Sequence, residues 1–328
     1  MRTLTITFIT ALFVTITLSS KAQTLPEKFL VADSAFLELI KPESKLEILD
    51  STFQFTEGPV WSKNGYLLFS DIPGNRIIRW NENKGFSDFL NPSNHTNGLT
   101  FNYNEDLIMC SHGARSVLRL KKGKELEIIA DRYNGKRLNS PNDLVFSTSG
   151  NLYFTDPCWG LNAQEQSPDK ELPYNGVYLI HKDSLMLIDS TLWRPNGIVL
   201  SPDQKSLYVS DMFTDNSDEI KTIYRYQLDP KGIPIKRELL TVSQPPHKIL
   251  GRINGFDGLK ADVNGNIYCT GPHGIVVLNA DGKYLGTITT PLSPANCAWG
   301  DDDFQTLYIT ARRHLYRIRL NVKGFSPK

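Results

Sequence analysis

The sequence has no excess of either charge: 36 Lys and Arg stand against 35 Asp and Glu in 328 residues. The basic surplus that neutralises phosphates is missing, which excludes a nucleic-acid binder. Cysteine is scarce. Cys110, Cys158, Cys269 and Cys297 are too few for a disulfide scaffold and read as isolated buried thiols, although three pairings are open to them. There is no Gly-x-Ser-x-Gly elbow, which argues against an α/β-hydrolase route. A Gly-rich phosphate loop, a Cys-x-x-Cys pair and a basic-aromatic stripe are also missing. Neither long helical periodicity nor βαβ alternation appears, so a parallel α/β fold is excluded. Beyond the first 22 residues no segment approaches the roughly 18 apolar residues of a spanning helix, so no membrane insertion of the mature chain is expected.

The N-terminus reads as a secretory signal peptide. Met1-Arg2 is a short basic start, residues 4–18 are an apolar run, and Ser20 and Ala22 supply the small residues before a cut after Ala22. A retained anchor would need a longer run. Cleavage removes Arg2 and Lys21 and no acid, leaving 34 bases against 35 acids. The expectation is an exported, periplasmic or secreted protein whose residues 23–328 form one domain.

What the sequence has is a repeat. A polar turn, an alternating apolar strand and a closing small or acidic residue recur six times: Tyr66–Asp71, Asp106–Ser111, Asn151–Asp156, Ser206–Asp211, Asn266–Gly271 and Thr306–Ala311. The alternation and the Tyr, Val and Ile content predict half-buried strands. Each is preceded by another strand, from Gly58, Gly98, Asp143, Gly197, Gly258 and Cys297 onward, and further strand candidates follow it. Three or four strands at a period of about 40–60 residues predict an all-β, six-bladed β-propeller. A strand around Leu46–Leu49 is expected to close the ring.

The repeats also put six oxygen-bearing side chains in register. Just before each first strand stand Glu57, Asn97, Asn142, Asn196, Asp257 and Asn296, each 14 or 15 residues from the end of the second strand. Rotation about a propeller axis would bring them to one mouth of the central channel. Carboxylate and carboxamide oxygens, without thiolate or imidazole, suit a hard cation. Two acids neutralise a divalent ion. Asn and Asp also cap turns, but Glu57 is a poor turn residue, and it stands in the same register.

The stretches Glu57-Gly-Pro-Val-Trp61, Ser140-Pro-Asn-Asp-Leu-Val145, Arg194-Pro-Asn-Gly-Ile198 and Gly255-Phe-Asp-Gly-Leu259 resemble the gluconolactonase/senescence-marker-protein/luciferin-regenerating-enzyme family. Asn296-Cys-Ala-Trp-Gly300 with Thr306–Ala311 is similar to its bacterial gluconolactonase branch, and the resemblance covers roughly residues 30–320. It implies a six-bladed propeller with one divalent metal in the channel, usually Ca²⁺, with Mg²⁺, Mn²⁺ and Zn²⁺ left open. It puts the metal ligands at Glu57, Asn142, Asn196 and Asp257, and leaves Asn97 and Asn296 as neighbours or substrate contacts. One departure is Phe256 where the family often has proline before the acid, so the local backbone can differ.

The implied reaction is hydrolysis of a sugar lactone, with the metal polarising the carbonyl and Asp257 acting as general base or positioning the attacking water. Further substrate contacts are sought in His112, Arg115, Arg137, Asn139 and His273. Asp156 and Asp211 are expected to tie loops by hydrogen bonds. Two long connections, residues 157–175 and 212–221, offer Trp159 and Phe213 as pocket walls. Asp262-Val-Asn-Gly-Asn266 begins like a calcium loop but lacks glutamate at the twelfth position, which is His273, and reads as a hairpin turn. Rival functions are a calcium-dependent organophosphate hydrolase, a metal-independent propeller resembling strictosidine synthase, and a non-catalytic binding propeller. The oligomeric state is left open.

Overall fold

The computed structural model describes residues 23–24, 29–121, 125–212, 223–240, 256–271 and 273–327; the expected signal peptide lies outside them. Six antiparallel sheets of four or five strands follow one another along the chain. Blade one is Thr56–Ser62, Tyr66–Asp71, Arg76–Asn81 and Gly85–Leu90. Blade two runs from Thr96–Phe101 to Leu126–Ala130 and blade three from Leu144–Phe146 to Ser184–Asp189. Blade four runs from Pro195–Leu200 to Pro234–Leu239. Blade five starts at Leu259–Ala261, and Phe29–Val31 adds its fifth strand. Blade six joins Asn296–Gly300, Thr306–Ala311 and His314–Arg319 to Glu47–Asp50. The ring is therefore closed by an N-terminal strand laid on the last blade, which hydrogen-bonds the two ends of the described propeller together.

The second strands match the repeated sequence pattern within a residue because alternation is strongest there: both faces pack on neighbouring blades. Six apolar clusters fill the spaces between blades. The cluster of Ile108, Leu144, Phe154 and Tyr178 joins blades two and three; that of Phe53, Phe69, Trp80, Tyr308 and Leu315 joins blades six and one. The outer strands, such as Gly85–Leu90 and Pro234–Leu239, are largely exposed, so their sequence carries little periodicity. Buried tyrosines of the second strands reach back to the hairpin turns. Tyr268 donates to Asp262 (3.2 Å) and Tyr308 to Asp301 (2.7 Å). Asp262 also accepts the Asn264 and Asn266 N–H groups, as expected for a hairpin turn. All four cysteines are buried free thiols. Among the described residues no helix is long and apolar enough to cross a membrane.

The innermost strands meet around the axis by a repeated bond. A hydroxyl at the next-to-last position of one blade's second strand donates to a carbonyl at the start of the next blade's inner strand. Ser70 donates to Asn97 O, Thr155 to Asn196 O and Ser210 to Asp257 O, each at 2.7 Å, and Thr270 to Ala295 O at 2.8 Å. Cys110 holds the equivalent place in blade two, with its sulfur 3.9 Å from Asp143 O. The backbones come close enough to require glycine: a Cβ on Gly58 would overlap the Asn97 carbonyl, and one on Gly98 the Asn142 carbonyl. The pairing slips between Glu57 and Val60, Thr96 and Leu99, and Pro195 and Ile198. Such a bulge re-aims the side chain beside it, here toward the channel mouth.

Thr155 carries two of these contacts, since its Oγ1 also accepts the Asp143 N–H (3.2 Å). Thr155→Val is expected to cost about 1–3 kcal/mol, because two buried polar groups lose their partner. Urea unfolding of the variant against the parent checks this.

Candidate metal centre and substrate cavity

A cavity of about 450 Å³ opens at one end of the channel. Its floor holds Glu57, Asn97, Asn142, Asn196 and Asp257, five of the six register positions. Its walls are mainly Phe55, Ile72, His112, Trp159, Met212, Pro294 and Arg312. Asn296 is absent from this lining. Its Oδ1 accepts the Cys297 N–H (2.9 Å) and the Lys260 ammonium (3.2 Å), and its amide donates to Asp143 (3.3 Å). It belongs to a layer deeper in the channel.

The floor concentrates negative charge away from water. Glu57 is buried, and its pKa is pushed up to about 7, first by burial and then by the Asp143 carboxylate. The Gly58 N–H, 2.5 Å from Glu57 Oε2, the Asn296 amide and Lys260 oppose that shift. Asp257 is raised well above the usual carboxylate range by burial, by Glu57 and by Asp143, against a hydrogen bond from Asn196. Two carboxyls held above their usual range by burial and by neighbouring acids in one cup are what a cation would relieve.

The donors fit such an ion. Asn196 Oδ1 is buried and has no hydrogen-bond partner, a cost that an ion would remove. Its amide nitrogen is occupied, lying 3.1 Å from Met212 Sδ and donating to Asp257. Among the described residues no cluster of three or more His, Cys, Asp or Glu has metal-binding spacing. The donor set is instead two carboxylates and two carboxamides, all hard oxygens that suit Ca²⁺ better than Zn²⁺.

His112 faces the same cavity in its neutral form. Burial, with a smaller effect of His95, lowers its pKa to about 4. Its Nε2 lies 3.3 Å from the Asn97 amide; accepting that N–H leaves the proton on Nδ1. Trp159 is held in the wall by the Arg194 guanidinium, 4.2 Å from its ring centroid. Phe213, its expected counterpart, lies outside the described residues.

The remaining sequence candidates lie away from the cavity lining. Arg115 is buried, and its Nε donates to Leu138 O (2.9 Å) and Asn139 O (3.1 Å). The Arg137 guanidinium donates to Ala114 O (3.1 Å). Asn139 donates to Asp156 O (3.0 Å) and Tyr174 O (2.9 Å). These three tie the loop before Asn142 to blades two and three. His273 is exposed. Asp156 accepts the Asn139 N–H (2.8 Å), and Asp211 the Trp193 and Arg194 N–H groups (3.0 and 2.7 Å); both tie loops as expected. Sequence reasoning missed Phe55, Ile72, Met212 and Arg312 as walls, and Asp143 and Lys260 in the channel. Phe55 and Arg312 do stand two residues before Glu57 and one after Ala311, the repeat's own landmarks.

A family model described as the SMP-30/Gluconolactonase/LRE-like region matches residues 55–313. A gluconolactonase of Zymomonas mobilis is 38% identical over 316 residues, 90% of this chain and 86% of the relative. The solved structure of a gluconolactonase from Xanthomonas campestris superposes with a TM-score of 0.79 at 28% identity, covering 92% of this chain and 97% of that one. A calcium-binding regucalcin from Agrobacterium tumefaciens, at 19% identity and a TM-score of 0.68 over 85% of this chain and 95% of its own, shares the fold.

The cup predicts an opposite pH dependence with and without ion. A carboxyl whose folded pKa is raised stabilises the fold below its unfolded pKa and loses that contribution as pH rises through the folded value. Glu57 and Asp257 act in this sense, and Asp156, raised to about 7 by burial, adds to it. With chelator the thermal midpoint should fall between pH 6 and 8. With millimolar Ca²⁺ it should hold or rise, since the ion takes the ionised ligands and displaces protons. Thermal scans at both pH values, with EGTA and with Ca²⁺, check this.

Proposed function

The chain belongs to the SMP-30/gluconolactonase/LRE-like family, and from that premise we propose that it is a metal-dependent lactonase that opens the ester ring of a sugar lactone. The observation that carries the reading is the channel floor: two carboxylates, Glu57 buried and Asp257 half-buried, both with raised pKa values, beside an Asn196 oxygen left without a partner. Glu57, Asn142, Asn196 and Asp257 would hold one divalent cation, Ca²⁺ by the hardness of the donors. When bound, the ion supplies a Lewis acid for the lactone carbonyl.

The chain's own groups do the rest. Asp257 takes the proton of the attacking water and returns it to the ring oxygen as the acyl–oxygen bond breaks, leaving the open hydroxy acid. Neutral His112, held by Asn97, offers a hydrogen bond to a substrate hydroxyl without adding charge. Phe55, Ile72, Trp159 and Met212 give the cavity apolar walls for the C–H faces of a sugar ring and limit water to the one that reacts. Arg312 stands at the exposed rim, stacked 5.5 Å from the Phe55 ring centroid, where it can draw off an acidic product. On this reading the reaction runs outside the cytoplasm, an inference that rests on the leader-like run at residues 4–18.

The test is proton release from D-glucono-1,5-lactone and a panel of pentono- and hexonolactones, after chelation and after Ca²⁺ is restored. Turnover should vanish with chelator and return with Ca²⁺. Asp257→Asn should fold and lose at least about a hundred-fold in kcat, the usual share of a positioned general base. Full turnover in the chelated chain would sink the metal role. Full turnover in Asp257→Asn would remove Asp257 as the base. Hydrolysis of phosphotriesters with no lactone turned over would move the substrate class to organophosphates.

A further inference from the structure

The channel holds a charged layer beneath the cup that the reaction does not use. Asp143 is buried directly after the ligand candidate Asn142. Its Oδ1 accepts the Leu144 N–H (2.9 Å) and its Oδ2 the Asn296 amide (3.3 Å). Lys260 approaches the same Oδ2. Its Nζ donates to Leu259 O (2.9 Å) and Asn296 Oδ1 (3.2 Å) and stands 3.8 Å from Asp143 Oδ2. Lys260 also lines a second cavity, beside Trp61, Phe146, Val199 and Trp299, to which residues 325–327 contribute. Glu57 and Asp143 both feel the field of this half-buried ammonium.

An ammonium in that position does work that packing alone would not ask of it. Half-burying a lysine nitrogen beside a carboxylate has a desolvation cost that the attraction between the two charges offsets only in part. The three channel acids Glu57, Asp143 and Asp257 carry −3 when ionised, and Lys260 brings the sum to −2. Arg312, the cation of the cavity wall, acts on Asp257 from the exposed rim, where solvent screens its charge.

We propose that Lys260 is the fixed counter-charge of the metal cup: by neutralising Asp143 from below, it leaves the charge of Glu57 and Asp257 alone to face the ion and so matches the cup to a divalent rather than a trivalent cation. This rests on the reading that the cup holds a metal. Lys260 touches neither the ion nor the substrate; it is a positioning residue that acts through Asp143 and Asn296.

The rule has a signature that a merely structural role lacks, because removing either partner moves the balance in opposite directions. Lys260→Met leaves −3 and favours a trivalent ion. Asp143→Asn leaves −1 and favours the divalent one. The double variant restores −2. The experiment measures the affinity of the full chain for Ca²⁺ by calorimetry and for Tb³⁺ by sensitised luminescence, and reads their ratio. Relative to the parent, Lys260→Met should shift the ratio toward Tb³⁺ by about ten-fold, one extra unit-charge interaction at an effective dielectric of about 20. Asp143→Asn should shift it toward Ca²⁺ by a similar factor, and the double variant should return to the parent's ratio. If Lys260→Met does not fold, the opposite shift in Asp143→Asn and its reversal in the double variant carry the test. Ratios unchanged in a chain that binds both ions, or shifted the same way by both single variants, overturn the charge role alone. A parent chain that takes up neither ion overturns this inference together with the metal reading beneath it.

Discussion

Everything at the channel mouth depends on how the blades are bonded to one another near the axis. A hydroxyl of one second strand holds a carbonyl at the start of the next inner strand, as Ser70 holds Asn97 and Ser210 holds Asp257. These bonds fix backbone atoms, and the side chains of the same residues are aimed into the cavity as a consequence. Glycine after the floor residue is part of the same device, because the neighbouring carbonyl occupies the space a Cβ would take. A rigid ring of this kind can hold several polar side chains in register from the backbone, without every side-chain oxygen being bonded to a neighbour. That leaves Asn196 Oδ1 free for a ligand.

The cost of this arrangement is electrostatic. Acids brought to one axis by symmetry repel one another, and burial removes the water that would screen them. The chain answers with neutral donors at most ring positions, so that only Glu57 and Asp257 on the floor carry charge. Asp143, one layer deeper, is met by Lys260 and Asn296. Proton uptake by Glu57 and Asp257 and capture of a cation are alternative ways to relieve the same strain. The cup's protonation state, its stability and its affinity for an ion are therefore one coupled property.

The fold was legible in the sequence because strand alternation and turn chemistry are local and recur six times. The second strands, packed on both faces, carried the clearest signal, and the exposed outer strands the weakest. The closing strand at Glu47–Asp50 falls one residue from the expected Leu46–Leu49 and pairs with the last blade. The channel floor was legible through register: Glu57, Asn97, Asn142, Asn196 and Asp257 meet because equal offsets in a propeller mean equal distance from the axis. Asn296 kept the offset but turned to the lower layer, where Lys260 and the Cys297 N–H claim its oxygen. Arg115, Arg137 and Asn139 stand outside the cavity lining, with Arg115 Nε, the Arg137 guanidinium and the Asn139 amide bonded to backbone carbonyls within 3.1 Å.

The sequence by itself determined the repeat, hence six blades, and the kind of atom at each blade's inner start, hence a floor of hard oxygen. Both follow from spacing and residue type, which are properties of the linear chain. Only the tertiary structure decided which polar groups remain free and which are consumed. That turns on partners far apart in sequence, such as Lys260 with Asp143, Asn196 with Asp257, and Trp159 with Arg194. Burial and charge act through space, and closing the ring sets those distances.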